Sequence, residues 1–270
     1  MDTFIAQYET GLRLGVFAAA FVVLSVLEAV FPRRLRTAPR LHRWMTNGAM
    51  VGLASVLVRV LMIAAPLLAV AAAATLASEL GWGVFNLTGL PIWLEFVLAM
   101  VLLDLAVWFQ HWATHKIGPL WRLHRVHHAD RDFDASTALR FHPIEIALSA
   151  AWKLAVVLAL GPAAAAAILF EIVLNASAQF SHANLALPRW LDRALRTVIV
   201  TPDMHRVHHS VDREEHDRNF GFCLSIWDRL FGTYRAQPNG GHARMTIGLN
   251  SAPGGQSDRL SWSLAFPFRR

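Results

Sequence analysis

Histidine is the residue type that dominates the chemistry open to this chain. The pentapeptide His-Arg-Val-His-His stands at 124–128 and again at 205–209, and His111 and His115 lie just upstream of the first copy. With 13 histidines in 270 residues, the pattern H-x-x-H-H should arise by chance only about 0.03 times, so two identical copies signal a built site. Neutral imidazole is the commonest protein metal ligand, and a polyhistidine metal centre is the economical reading. The i, i+3, i+4 spacing puts His124, His127 and His128, and likewise His205, His208 and His209, on one helical turn, while His111 and His115 share a helical face. Eight such histidines exceed the about four to six ligands that one Zn or Fe takes, so a dinuclear site fits the count better.

Other residues extend the candidate set. His182, in Ser-His-Ala-Asn, is a further candidate ligand, and His142, directly before Pro143, suits either a capping role or a place beside the site. His216 follows the polar run 212–215 and could join the centre together with Asn219, as an additional ligand or as a support for one. Asp104 precedes His111 by seven residues, about two helical turns, and so shares a face from which a carboxylate can orient a ligand. His42 and His242 read as surface or interfacial residues.

Composition places these residues in a membrane protein. Hydrophobic residues make up 55% and charged residues 16%, against about 45 to 50% and 25% in soluble domains. Residues 12–31, 49–74 and 92–109 are each long enough, at about 18 to 25 residues, to cross a bilayer. The stretch 144–180 is too long for one span, and Gly161-Pro162 divides it into a helical hairpin. Basic residues follow the first apolar stretch instead of preceding it, which reads as a retained span and not a signal peptide. Glu171 and Lys153, on opposite arms of the hairpin, can pair; Glu95 reads as interfacial, and Arg59 has no partner that sequence identifies.

Loop charge sets an orientation. Residues 33–43 carry five Arg and 116–140 carry Lys116, Arg122, Arg125, Arg131 and Arg140, whereas 75–91 carry no Lys or Arg. The positive-inside rule then puts the N-terminus outside and both His-Arg-Val-His-His copies on the cytoplasmic side. The pI near 10.6 reflects these flanks; no nucleic-acid module is visible, so nucleic acid is not an expected partner. A single cysteine, Cys223, excludes an intramolecular disulfide and a CxxC redox pair. The sequence has no Rossmann fingerprint, iron-sulfur cysteine set or haem-attachment motif, so electrons for any redox reaction must come from outside. Arg122, Arg125, Arg131 and Arg206 form an expected basic face for an acidic donor. Trp93, Trp108, Phe109, Trp112 and Trp121 bracket the first boxes and could line an apolar corridor, or serve as interfacial packing.

His-Trp-Ala-Thr-His at 111–115, the two H-x-x-H-H boxes and the tail from Asn219 to Tyr234 together resemble the fatty acid hydroxylase and sterol desaturase superfamily, over about residues 95 to 235. The resemblance implies an integral membrane oxygenase whose histidines hold two iron ions; zinc is a further occupant that such imidazole donors accept. It further implies dioxygen and electrons from a ferredoxin, cytochrome or flavin reductase, used to hydroxylate or desaturate a sterol-like, fatty acyl or related lipid. The implied ligands are His111, His115, His124, His127, His128, His205, His208 and His209, and His182 matches a histidine found between the second and third boxes.

The expected fold is all-α: about three full spans plus a helical hairpin, under a cytoplasmic helical cap that holds the dimetal site. Residues 1–90 supply N-terminal spans, 91–235 the histidine-box catalytic core and 236–270 a C-terminal tail, all in one folded unit. A metal transporter would place its ligands near the bilayer midplane, and a zinc hydrolase would carry H-E-x-x-H, which is absent. These two remain as the alternative functions.

Overall fold

The computed structural model describes residues 2–66, 69–252 and 254–269. Along the chain run α1 (Asp2–Val30), α2 (Arg40–Ala64), α3 (Val70–Glu79), α4 (Val84–Thr88), α5 (Ile92–Lys116), α6 (Gly118–His128), α7 (Pro143–Leu160) and α8 (Ala164–Ser181). Short helices follow: α9 (Arg189–Leu195), α10 (Pro202–His208), α11 (Arg213–His216), α12 (Ile226–Leu230) and α13 (Leu260–Ala265). There is no strand among the described residues, only isolated bridges pairing Pro32 with Leu185, Ile199 with Leu224 and Ser210 with Ile247. Five helices are long and apolar enough to cross a membrane: α1 over Gln7–Val30, α2, α5, α7 and α8. The two arms of the expected hairpin are thus each a candidate span.

One expected span is corrected. The apolar run 49–74 is not a single rod, because α2 begins earlier, at Arg40, and ends at Ala64. Ala65 leaves the helical region with φ −140° and ψ 82°, as a residue before proline tends to do, and Pro66 lacks the N–H needed to continue the ladder. The remainder of the run forms the separate helix α3, which packs on α7 and α8.

The hairpin break is as expected. Gly161 closes α7 in the left-handed region at φ 62°, a conformation that glycine adopts without Cβ strain. Its carbonyl accepts the Asn86 amide at 3.1 Å, tying the tip to α4. The return arm α8 lies at the centre of the bundle, against α1, α3 and α5, while α7 packs on α2, α3 and α5. Between them runs an apolar column that includes Val70, Leu103, Val107, Val157, Phe170 and Phe222. The expected pair of Lys153 with Glu171 forms, and Arg13 Nη1 joins Glu171 at 2.7 Å. Arg59 is exposed on α2.

A buried ionic network locks the turn that follows the first pentapeptide. Arg43 of α2 donates to Asp130 through Nε at 2.6 Å and Nη2 at 2.8 Å, and to Asp134 through Nη1 at 2.7 Å. Burial pushes the Asp130 carboxyl up, but the Arg43 charge and hydrogen bonds outweigh it and hold its pKa at about 2. Arg140 spans the Val126 carbonyl, the Asn47 amide oxygen, the Ser257 carbonyl and the Ser263 hydroxyl. Trp262 and Phe266 pack with Met50 and Val126, so the C-terminal segment is bolted to α2 and α6.

The hairpin tip offers a direct test. A Cβ on Gly161 would collide with the Trp82 carbonyl and the Asn86 amide, and the left-handed backbone adds strain. Gly161→Ala is expected to destabilise the protein by more than about 1 kcal/mol, read as a lowered midpoint of thermal or denaturant unfolding in detergent.

Candidate metal centre

The helices converge their histidines at one end of the bundle. His111 and His115 occupy the last two turns of α5, α6 carries His124, His127 and His128, and His182 is the residue that ends α8. The second pentapeptide begins on α10, whose start is set by the Thr201 cap and Pro202 in the first turn. The Thr201 hydroxyl accepts from Met204 N at 3.4 Å and donates to Asp192 at 2.6 Å. All nine histidines expected as ligands are buried.

They form two groups whose ring nitrogens face common points: His111, His115, His124, His128 and His208 in one, and His127, His182, His205 and His209 in the other. In the first, His124 Nε2 lies 3.1 Å from His111 Nε2 and 3.2 Å from His128 Nε2. In the second, His182 Nε2 lies 3.1 Å from His127 Nε2 and 3.2 Å from both His205 and His209 Nε2. One imidazole nitrogen carries at most one proton and cannot donate to three neighbours at once. Nitrogens held at about 2.0 to 2.1 Å from a shared ion would lie about 3.0 to 3.4 Å apart. The donor sets therefore fit bound metal ions.

The two identical pentapeptides divide in opposite senses. From the first copy, His124 and His128 join the five-histidine group and His127 crosses to the other; from the second, His205 and His209 join the four-histidine group and His208 crosses back. The rings interleave closely, with 4.6 Å between the His128 and His209 centroids and 5.0 Å between His205 and His208.

The far nitrogens set the tautomers. Nδ1 of His111, His182 and His208 meets the carbonyls of Phe220, Ala178 and Arg218 at 2.7, 2.6 and 2.7 Å. Each Nδ1 donates there, which leaves Nε2 unprotonated for a metal. His124 Nδ1 contacts Glu145 Oε1 at 2.6 Å, a carboxylate-histidine arrangement that raises ligand basicity. Burial holds the His124 pKa down to about 3 and the His182 pKa to about 4. His127, His128, His205, His208 and His209 are also held well below the usual value, by burial first and then by neighbouring imidazoles.

The remaining candidates separate. His216 and Asp217 flank His115, with Asp217 Oδ1 3.4 Å from His115 Nδ1, and the His216 ring stacks on Trp121 at 5.3 Å. His142 stands outside both groups as the cap of α7, its Nδ1 accepting from Ile144 N at 3.2 Å. Asn219, at φ 54°, hydrogen bonds Met204 and Arg235, and so braces the backbone just before His205. Asp104 touches no histidine; it accepts from Trp227 Nε1 at 2.8 Å and Leu224 N at 3.1 Å, fastening the segment that carries Phe220 and Phe222.

Several expectations are corrected. Arg206 is fully buried on Asp203 and the Ala183 carbonyl, Arg125 is spent on the Phe266 and Arg269 carbonyls, and Arg131 pairs with Asp258 at 2.6 Å. Of that expected basic face only Arg122 is exposed. His242 is buried 3.5 Å from Asp203 because the Arg206 and Asp203 pair draws the tail inward. Trp108 anchors through Asp228 at 3.1 Å and stacks on Phe231. Of the expected aromatic set Trp121 does pack on the ligands, 5.0 Å from His115 and 5.5 Å from His128, and it is joined by Phe141, stacked 4.3 Å from His127, and Phe222, 4.8 Å from His111.

Sequence reading overlooked Glu145. Its signal was a carboxylate in the first turn of an apolar helix, with no Lys or Arg three or four positions away.

A sequence model of the family described as fatty acid hydroxylase matches residues 96–233, just over half of the chain and a stretch that contains all nine histidines. The chain belongs to the fatty acid hydroxylase family. It is 32% identical over 137 residues to human alkylglycerol monooxygenase, covering 48% of this chain and 28% of that protein. It is 31% identical over 157 residues to the alkylglycerol monooxygenase of Danio rerio, covering 57% and 34%. To an ornithine lipid hydroxylase of Rhizobium tropici it is 28% identical over 148 residues, covering 55% and 44%. The chain thus spans less than half the length of each of these relatives, and no solved structure matches it at a significant level.

Two outcomes follow for this member of the fatty acid hydroxylase family. Glu145→Gln is expected to weaken metal retention about 10- to 100-fold, measured by metal analysis after dialysis against a graded chelator. Lowered imidazole pKa values mean that protons compete poorly for the donor nitrogens. Half-release of metal on acidification is therefore expected below pH 6.5, the ordinary imidazole value, read by metal analysis across a pH series.

Proposed function

We propose that this protein is a membrane lipid monooxygenase in which the nine histidines of the two groups hold a pair of iron ions. The convergence of nine buried imidazoles on two points carries this reading, supported by family membership and by relatives named for lipid oxygenation. The metal pair, when bound, supplies the redox chemistry that sets dioxygen against a carbon-hydrogen bond. The overall reaction consumes one dioxygen, two electrons and two protons per lipid, and returns an alcohol and water.

The protein's own groups bind and exclude. Carbonyls at Phe220, Ala178 and Arg218 and the Glu145 carboxylate hold the rings in one tautomer. Phe141 and Phe222 cover the rings, and the apolar column that reaches Phe222 keeps water from the reacting carbon. The substrate is a lipid, of which alkylglycerols and ornithine lipids are the chemistries suggested by the relatives' names. Loop charge puts the centre at the cytoplasmic ends of the spans, with residues 91–235 as catalytic core. Electrons come from a separate ferredoxin, cytochrome or flavin reductase. His216 and Asp217 sit beside His115 as supports of the five-histidine group, and Asn219 positions the second pentapeptide.

Oxygen labelling tests the reading. Protein purified with two irons per chain, given reductant and a 1-O-alkylglycerol or ornithine lipid under labelled dioxygen, should place one labelled atom in the product. His128→Ala should abolish incorporation and lower the iron content per chain. One zinc per chain, or product oxygen drawn from water, would sink the proposal.

A further inference from the structure

The connection between α1 and α2 holds an arginine pair that its surroundings do not satisfy. Arg36 and Arg40 approach the same oxygen of Glu28, with Nη2 to Oε2 separations of 3.9 and 3.5 Å, beyond good hydrogen-bond range. The other Glu28 oxygen is already occupied by the backbone N–H groups of Ala135 and Asn184, at 2.7 and 2.9 Å. Nε and Nη2 of both arginines are shielded from solvent and meet no acceptor, and Glu28 Oε2 is likewise unpartnered. Two cations thus face one fully buried carboxylate, with Asp134 also acting on Arg40, and several of their donors stay without a hydrogen-bond partner.

The setting defines what would spend them. Arg40 lies 4.1 Å over the Trp44 ring, which fixes the plane of its fork. No side chain caps the N-terminus of the 25-residue helix α2, so its positive end faces the same region. Phe31, Leu35, Leu41 and Met45, each within five residues of the pair in sequence, are exposed, at the ends of two candidate spans. Paired guanidinium forks match phosphate geometry, and an apolar rim suits acyl chains.

We propose that Arg36 and Arg40 form a binding site for the phosphate of an anionic membrane phospholipid, whose acyl chains lie against Phe31, Leu35, Leu41 and Met45. The site is separate from the histidine groups, but Glu28 connects the two. The same carboxylate that faces both arginines holds the backbone of Asn184, two residues beyond His182, and of Ala135.

The test reads binding without turnover. The delipidated protein in neutral detergent is titrated with short-chain phosphatidylglycerol, or with phosphatidylcholine, and followed by native mass spectrometry and thermal unfolding. The expected result is one tightly held phosphatidylglycerol per chain, with affinity at least about tenfold lower in R36Q/R40Q and unchanged in R122Q, which removes an exposed arginine elsewhere. R36K/R40K keeps the charge but loses the forks, and controls for misfolding of the glutamine variant; it should bind several-fold more weakly than the parent. Wild-type affinity in both double variants would overturn the site. So would protection by inorganic phosphate equal to that by phosphatidylglycerol, or equal binding of phosphatidylcholine, since each removes the anionic lipid from the assignment.

Discussion

Nine imidazoles can be buried together only if all of them stay neutral and all present the same nitrogen inward. An isolated buried charge costs several kcal/mol, so a cluster in which even two rings were protonated would push itself apart. The depressed pKa values at the second and third boxes are the electrostatic form of that constraint. Neutrality alone does not orient a ring, and the acceptors behind the rings do that: three backbone carbonyls and Glu145. The carbonyls of Arg218 and Phe220 belong to a segment held in turn by Asp228, which accepts from Phe220 N and Gly221 N at 2.8 and 2.9 Å. Precision at the centre is thus inherited from peptide groups whose own positions are fixed by buried carboxylates.

The repeated pentapeptide acquires a reason in this geometry. A single helical turn bearing histidines at i, i+3 and i+4 presents them on one face, from which they can meet one point or reach toward a neighbouring one. Two such turns facing one another can exchange the i+3 residue, so that each metal position draws on both helices. His127 and His208 make that exchange. Neither group is then complete on one segment, and each takes a histidine from the opposite pentapeptide. The extra ligands, His111 and His115 for one group and His182 for the other, come from the ends of α5 and α8, which sets the centre where those spans finish.

Much of this was legible in the residue pattern. The boxes, His182, the hairpin break at Gly161 and the Lys153 to Glu171 pair depend on local spacing or on a single chain reversal, and the structure brings the expected residues together. What was not legible depends on tertiary partners. The interruption at Pro66 was hidden in an apolar run whose composition outweighed its one proline. Arg206 and His242 looked like surface residues until Asp203 drew both inward. Asp104 shares a helical face with His111, yet it serves Trp227, since a helical register says which direction a side chain takes but not what waits there.

The N-terminal residues show the same limit most clearly. Residues 1–90 carry no box and read as spans alone, yet two of their side chains fix the histidine-bearing segments from behind. Glu28 of α1 binds the backbone at Ala135 and Asn184 together, joining the turn after the first pentapeptide to the turn after His182. Arg43 of α2 holds Asp130 and Asp134 on that first turn. Histidines 127 and 182 belong to one group and come from segments more than 50 residues apart, so their 3.1 Å separation requires those two turns to be held to one another. A span that merely anchored the protein would need neither a buried glutamate nor a buried arginine at its end. The cost of burying those charges is offset by partners on the histidine-bearing segments, which makes the first two helices part of the centre's frame.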